Sequence, residues 1–224
     1  MPFKGSQQLN SISIAYWLNN HINTVRIILL ALCFCLSIIV FNKLTRVQQA
    51  VLFTGLGLYL IVFYLFNFKF LADKMFLQPS VTLLASGKEN IIKNDKLVLG
   101  VEVNGEARAY PIQIIGYHHQ IKDAIKGTKI LVTYCTVCRT GRVFDPTVRG
   151  KIEDFRLVGM DHYNAMFEDY STKSWWRQAN GEAIAGPLKG EKLRELPSRQ
   201  MTLASWLALY PNSLVLQQIG RAHV

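Results

Sequence analysis

The residues of this chain with the clearest capacity for chemistry are two cysteines, Cys135 and Cys138. They stand three positions apart in the stretch KILVTYCTVCRTGRVFD, residues 129–145. The run Ile130-Leu131-Val132 reads as a buried strand that delivers both thiols to a turn, and Arg139-Thr140-Gly141 closes that turn. Two thiols at this spacing can chelate one metal ion, close a disulfide, or exchange electrons as a dithiol. Three histidines belong to the same region: His118 and His119 one connection before the strand, and His162 after the following hairpin. With the thiols, His118 and His162 would complete a two-sulfur, one- or two-nitrogen ligand set suited to zinc or copper. The zinc-finger spacing, a CxxC followed by H-x3–5-H, is absent, and each histidine alone reads equally as a hydrogen-bonded structural residue.

Other side chains carry weaker signals. Asp161-His162 and Glu168-Asp169 set carboxylates near an imidazole, as general acid–base chemistry needs and as a charged turn would also do. Trp175, Trp176 and Trp206 line a pocket or fill a core, and Asn164 and Gln178 draw interest only by their company. There is no phosphate-binding loop, dinucleotide fingerprint or serine-hydrolase elbow.

The elements that must position these residues follow from charge and hydropathy. Half of the 224 residues are apolar and the formal charge is +10, unevenly spread. Residues 1–68 contain only Lys4, Arg26, Lys43 and Arg46 as charged groups, all basic. Beyond them the basic excess is diffuse, with no basic run interleaved with aromatics, so nucleic acid is not an expected partner. Residues 1–24 read as a polar N-terminal segment. Val25–Phe41 and Val51–Phe68 are apolar runs that, at about 1.5 Å per residue, cross a hydrocarbon core once flanking residues are added. Residues 25–68 therefore read as a two-helix transmembrane hairpin, with the lipid bilayer as partner. No small-residue cleavage site separates the runs, which argues against a signal peptide. Cys33 and Cys35 fall about 200° apart on the first helix and read as apolar filler.

An even number of spans leaves both ends of the hairpin on one side. Lys4, Arg26, Lys69 and Lys74 lie on that side, and Lys43 and Arg46 lie in the opposite loop. A count of positive charges thus favours a cytoplasmic domain.

Residues 69–96 read as a connector and 97–218 as a soluble CxxC domain. Apolar residues alternate around Asn104-Gly105, a hairpin signal. A short helix and a strand are expected within residues 112–126, a hairpin over 142–158 turning near Pro146–Gly150, and a turn at Ser171–Lys173. Thr202 caps an expected helix stopped by Pro211, and residues 213–217 return as a last strand. The expected fold class is α+β: a mainly antiparallel β soluble domain preceded by an α-helical transmembrane hairpin. Residues 219–224, IGRAHV, match a translation of common sequencing-adaptor sequence and are expected to be an artefact, so His223 enters no argument.

Taken together, AYP (109–111), the segment from His118 to Asp123, TYCTVC (133–138), VFD (143–145), GMDHYNAMFED (159–169), SWWRQ (174–178), AIAGPLKG (183–190) and LP (196–197) resemble one known family. It is a widespread bacterial and archaeal family of secreted or membrane-anchored proteins, catalogued as a domain of unknown function. The resemblance spans roughly residues 97–216 and leaves the transmembrane hairpin outside. His118, Cys135 and Cys138 match the family's most distinctive polar positions; Arg139 departs from its pattern, which often has a small residue after the second cysteine. The resemblance implies an extracytoplasmic domain at the inner or cell membrane, against the charge count, and implies no activity.

The leading expectation is a membrane-anchored metal-binding domain with Cys135, Cys138, His118 and His162 as ligands to copper or zinc. Copper leads zinc if the domain is extracytoplasmic. The alternative is a thiol–disulfide oxidoreductase in which Cys135 attacks and Cys138 resolves. A third reading, a binding module with a structural disulfide, stays open.

Overall fold

Contacts divide the chain into two units, Asn10–Met75 and the remainder. The computed structural model describes Gly5, residues 8–79 and residues 81–217, so the expectation for residues 219–224 lies outside the described residues. The first unit is helical throughout. It comprises α1 (Ile12–Asn20), α2 (Ile22–Phe41), α3 (Arg46–Tyr64), a π-helical turn at Leu65–Lys69, and the short α4 (Ala72–Met75). Two stretches, Ile22–Phe41 of 20 residues and Arg46–Lys69 of 24, are long and apolar enough to cross a membrane. Both begin earlier than the apolar runs suggest, because the backbone ladder continues through polar residues. At α3 a capping box does this, with Thr45 Oγ1 accepting from Gln48 N and the Gln48 side chain accepting from Thr45 N. Helix α1 was not legible in the polar N-terminal segment, since it is short and carries no charge pattern.

The second unit is built from short strands in several sheets. β1 (Leu84–Ala85), β2 (Leu97–Val103) and β3 (Glu106–Pro111) precede α5 (Ile112–His118). Then come β4 (Gln120–Ile125), β5 (Thr128–Cys135), β6 (Thr140–Asp145), and the ribbon β7 (Thr147–Val148) with β8 (Lys151–Ile152). β9 (Phe155–Asp161), β10 (Asn164–Asp169), β11 (Trp175–Arg177) and β12 (Ala183–Ala185) follow. The chain continues through β13 (Arg194–Leu196), β14 (Ser198–Thr202), α6 (Leu203–Leu209) and β15 (Leu214–Leu216).

Three main sheets result, ordered β1-β15-β3-β2-β14, β12-β11-β10-β9 and β13-β6-β5-β4. Pairing is antiparallel except where β15 runs parallel to β3. The α+β class with apolar helices ahead of antiparallel sheets is thus observed. Asn104-Gly105 forms the turn between β2 and β3, and Thr202 Oγ1 accepts from Ser205 N at 3.2 Å to cap α6. The single hairpin expected over residues 142–158 does not form. Arg149-Gly150 closes only the β7–β8 ribbon, while β6 and β9 go to different sheets.

The apolar core lies between the first and third sheets and α5 and α6, with Leu99, Tyr110, Ile115, Ile121, Val132 and Trp206 at its centre. α5 turns its buried Ile114 and Ile115 into this core, so its last residue, His118, and its cap, His119, are carried to the strand bearing the cysteines.

Candidate functional site: a thiol pair against the β9–β10 turn

β5 is buried along its length from Ile130 and ends at Cys135, which pairs in register with Thr140 at the start of β6. The four residues between them form an exposed loop in which Arg139 takes a left-handed backbone, φ 52°. The loop brings the two sulfurs together with opposite exposure. Cys135 is 1% exposed, Cys138 lies at the surface, and both are free thiols. The Cys138 backbone N–H donates to Cys135 Sγ at 3.4 Å.

A second hairpin closes over the pair from the neighbouring sheet. Cys135 Sγ donates to the carbonyl of Tyr163 at 3.7 Å, and Asn164 Nδ2 donates to Cys138 Sγ at 3.0 Å. Behind Asn164 a row of buried polar groups continues. Asn164 Nδ2 also reaches Gln178 Oε1 at 3.4 Å, and Asn164 Oδ1 accepts from Ala179 N at 2.7 Å. Gln178 Nε2 donates to Thr140 O at 3.1 Å and Thr133 Oγ1 at 3.2 Å, and Thr133 Oγ1 donates to Arg142 O at 2.9 Å. Burial, then hydrogen bonding and charge from Cys135, push the Cys138 thiol up to about 11; its own backbone and Asn164 pull the other way. The Tyr134 phenol is raised as well, by burial first, with Arg139 opposing and the two cysteines adding to the rise.

The turn that brings this hairpin in is unusual. Among the described residues, Asn104-Gly105, Lys126-Gly127, Arg149-Gly150 and His162-Tyr163 are two-residue hairpin turns with positive φ at both positions. Glycine takes the second position in three of them, at no steric cost. His162 (φ 48°) and Tyr163 (φ 64°) both carry side chains there, a strain of about 1–2 kcal/mol per residue. Strain of this kind concentrates at functional sites.

The three histidines are tied to oxygens. His118 Nδ1 lies 2.5 Å from Leu77 O, and His119 Nδ1 lies 3.0 Å from Tyr134 O. A carbonyl only accepts, so Nδ1 carries a proton in both rings, and in the neutral tautomer Nε2 is the nitrogen with the lone pair. Burial lowers the His119 pKa, the Tyr134 carbonyl opposes that, and His118 adds to the lowering. His162 Nδ1 is 2.6 Å from Asp161 Oδ1, and Asp161 Oδ2 accepts from Arg177 Nε at 2.8 Å.

Of the four residues expected as ligands, then, Cys135 and Cys138 meet each other, while His118 and His162 are each held by separate partners. Among the described residues no group of three or more His, Cys, Asp or Glu side chains is placed to hold a metal ion. The groups that do contact the sulfurs, Tyr163 O and Asn164 Nδ2, come from chain 26 to 28 positions away. The one sequence signal for them was a polar residue, Asn164, standing directly before the apolar run Ala165-Met166-Phe167.

One family model, described as "Protein of unknown function (DUF3179)", matches residues 78–223. No curated protein and no solved structure matches the chain.

Proposed function

The chain belongs to the DUF3179 family, a membership that supplies a domain and no activity, and we propose from its thiol pair that it is a membrane-anchored thiol–disulfide exchange protein. The observation that carries this reading is the pairing of an exposed Cys138, with a hydrogen-bond donor 3.0 Å from its sulfur, and a buried Cys135 in the same turn. This reading takes the roles from accessibility, the opposite way round from the sequence expectation that Cys135 attacks. An incoming disulfide meets Cys138, and Cys135 resolves.

The Cys138 thiol, raised to about 11, first gives its proton to a solvent base, and the thiolate so formed attacks one sulfur of a substrate disulfide. That S–S bond breaks, and the second substrate sulfur leaves as a thiolate that takes a proton from solvent. Deprotonated Cys135 then attacks the Cys138 sulfur, which releases the first substrate thiol and leaves a Cys135–Cys138 disulfide. Two electrons pass to the substrate, and an external dithiol restores the pair by the reverse sequence. The two apolar helices would hold this chemistry at a bilayer. The family resemblance favours the extracytoplasmic side.

A second reading, copper or zinc held by Cys135 and Cys138 with His118 as a further ligand, has one observation in its favour. The His118 Nδ1–H is committed to a carbonyl, which leaves Nε2 oriented as metal-bound imidazoles are. One experiment separates the two: equilibrate the detergent-solubilised chain with dithiol/disulfide buffers and analyse its metal content in parallel. A reversible Cys135–Cys138 disulfide in metal-free protein supports exchange. Stoichiometric metal that is lost in His118→Ala overturns it in favour of the metal site.

A further inference from the structure

The Asn164 amide has one available orientation. Its Oδ1 is fixed by the Ala179 N–H at 2.7 Å, so its nitrogen must face the Cys138 sulfur. Gln178 is fixed in turn, because Thr140 O at 3.1 Å accepts only from Nε2, leaving Oε1 for Asn164 at 3.4 Å. Thr133, whose hydroxyl proton goes to Arg142 O at 2.9 Å, can only accept from Gln178 Nε2. Each link removes a choice from the next, and Gln178 and Thr133 are fully buried, so water does not compete for them.

The same hairpin treats the other sulfur in the opposite way. Cys135 meets a carbonyl oxygen, that of Tyr163, which disfavours negative charge there. The turn that delivers both contacts is the one that keeps side chains at two left-handed positions.

We propose that Asn164 is a catalytic hydrogen-bond donor to the Cys138 sulfur, held in place by Gln178, and that it stabilises the charge gathering on that sulfur as an S–S bond forms or breaks. The physical principle is that of a preorganised donor aimed at the atom where charge develops, in a setting that needs no reorganisation during the step. This inference rests on the thiol pair being the reactive centre, and it assigns the exchange reading a residue outside the CxxC loop.

The test is the rate at which the reduced full chain in detergent reacts with a small aromatic disulfide at fixed pH, together with the reduction potential of the pair. The variants are Asn164→Ala, the isosteric Asn164→Asp, and Gln178→Ala. Loss of the donor is expected to slow the reaction about tenfold or more. A tenfold change in the equilibrium constant would make the pair more reducing by about 30 mV, because the reduced form loses its stabilisation. Gln178→Ala should give a smaller change of the same sign, since the donor is loosened and not removed. Wild-type rate and potential in Asn164→Asp, which preserves shape and tests the donor even if Asn164→Ala unfolds, would overturn the proposal. An Asn164-dependent rate without any Cys135–Cys138 disulfide product would keep this assignment and end the exchange reading.

Discussion

Gly100 of β2 lies directly beneath the indole of Trp206: a Cβ at Gly100 would stand 2.3 Å from Trp206 Cε3. The ring has nowhere to go. It is buried, its Nε1 donates to Ser213 Oγ at 2.8 Å, and Tyr210 packs 4.3 Å from it. Gly100→Ala is therefore expected to destabilise the domain by about 3 kcal/mol, at the upper end of overpacking costs. Thermal unfolding of the full chain in detergent measures it.

Asp169 is buried and accepts from Thr172 N at 2.6 Å, Ser174 N at 3.1 Å and Trp176 Nε1 at 2.8 Å. Removing its carboxylate leaves the buried indole N–H without its acceptor, deprives Thr172 N of its partner, and leaves Ser174 N only Thr172 Oγ1 at 3.4 Å. Asp169→Ala is expected to cost about 2–4 kcal/mol, read in the same unfolding experiment.

The two cysteines should separate cleanly in function. Cys138→Ser removes the accessible sulfur and is expected to abolish disulfide reduction. Cys135→Ser keeps the entering sulfur and removes the resolving one, so a mixed disulfide at Cys138 should accumulate. Mass spectrometry after mixing with a disulfide-containing protein checks both, and an adduct at Cys135 in Cys138→Ser would reverse the assignment.

His119 predicts a pH dependence. Its folded pKa lies below the ordinary 6.5, chiefly because of burial, so the unfolded chain binds the extra proton more readily. The stability it contributes is complete above pH 6.5 and is lost as pH falls through the lowered folded value. His119→Asn, a residue that tolerates the left-handed cap at φ 61°, should flatten that part of the stability profile. Melting temperatures across the acid range check this.

How much of this was legible in the sequence differed by the range of the interaction involved. Asn104-Gly105, the Thr202 cap, the apolar spans and the CxxC loop are local signals, and each produced the expected element. The split of residues 142–158 between two sheets was hidden because Arg149-Gly150 is a proper turn signal for a ribbon of only two residues a side. The relative exposure of the thiols was hidden for a different reason. It depends on the β9–β10 hairpin from another sheet, whose Tyr163 carbonyl meets Cys135 while Asn164 meets Cys138, and no spacing rule encodes that approach. Gln178 and Thr133 are polar residues whose burial reveals itself only once the row that satisfies them exists.

The position of β15 carries a consequence for biosynthesis. β1 pairs with β15, and β15 in turn runs parallel to β3, so the strand at residues 214–216 is inserted between two strands made well before it. The first sheet cannot be finished on the ribosome until that strand has emerged. The two helices long and apolar enough to cross a membrane, within residues 22–69, are by contrast made early. The thiol pair and the β9–β10 hairpin that meets it are both made before residue 214, so the strands around the two sulfurs precede the strand that completes the first sheet.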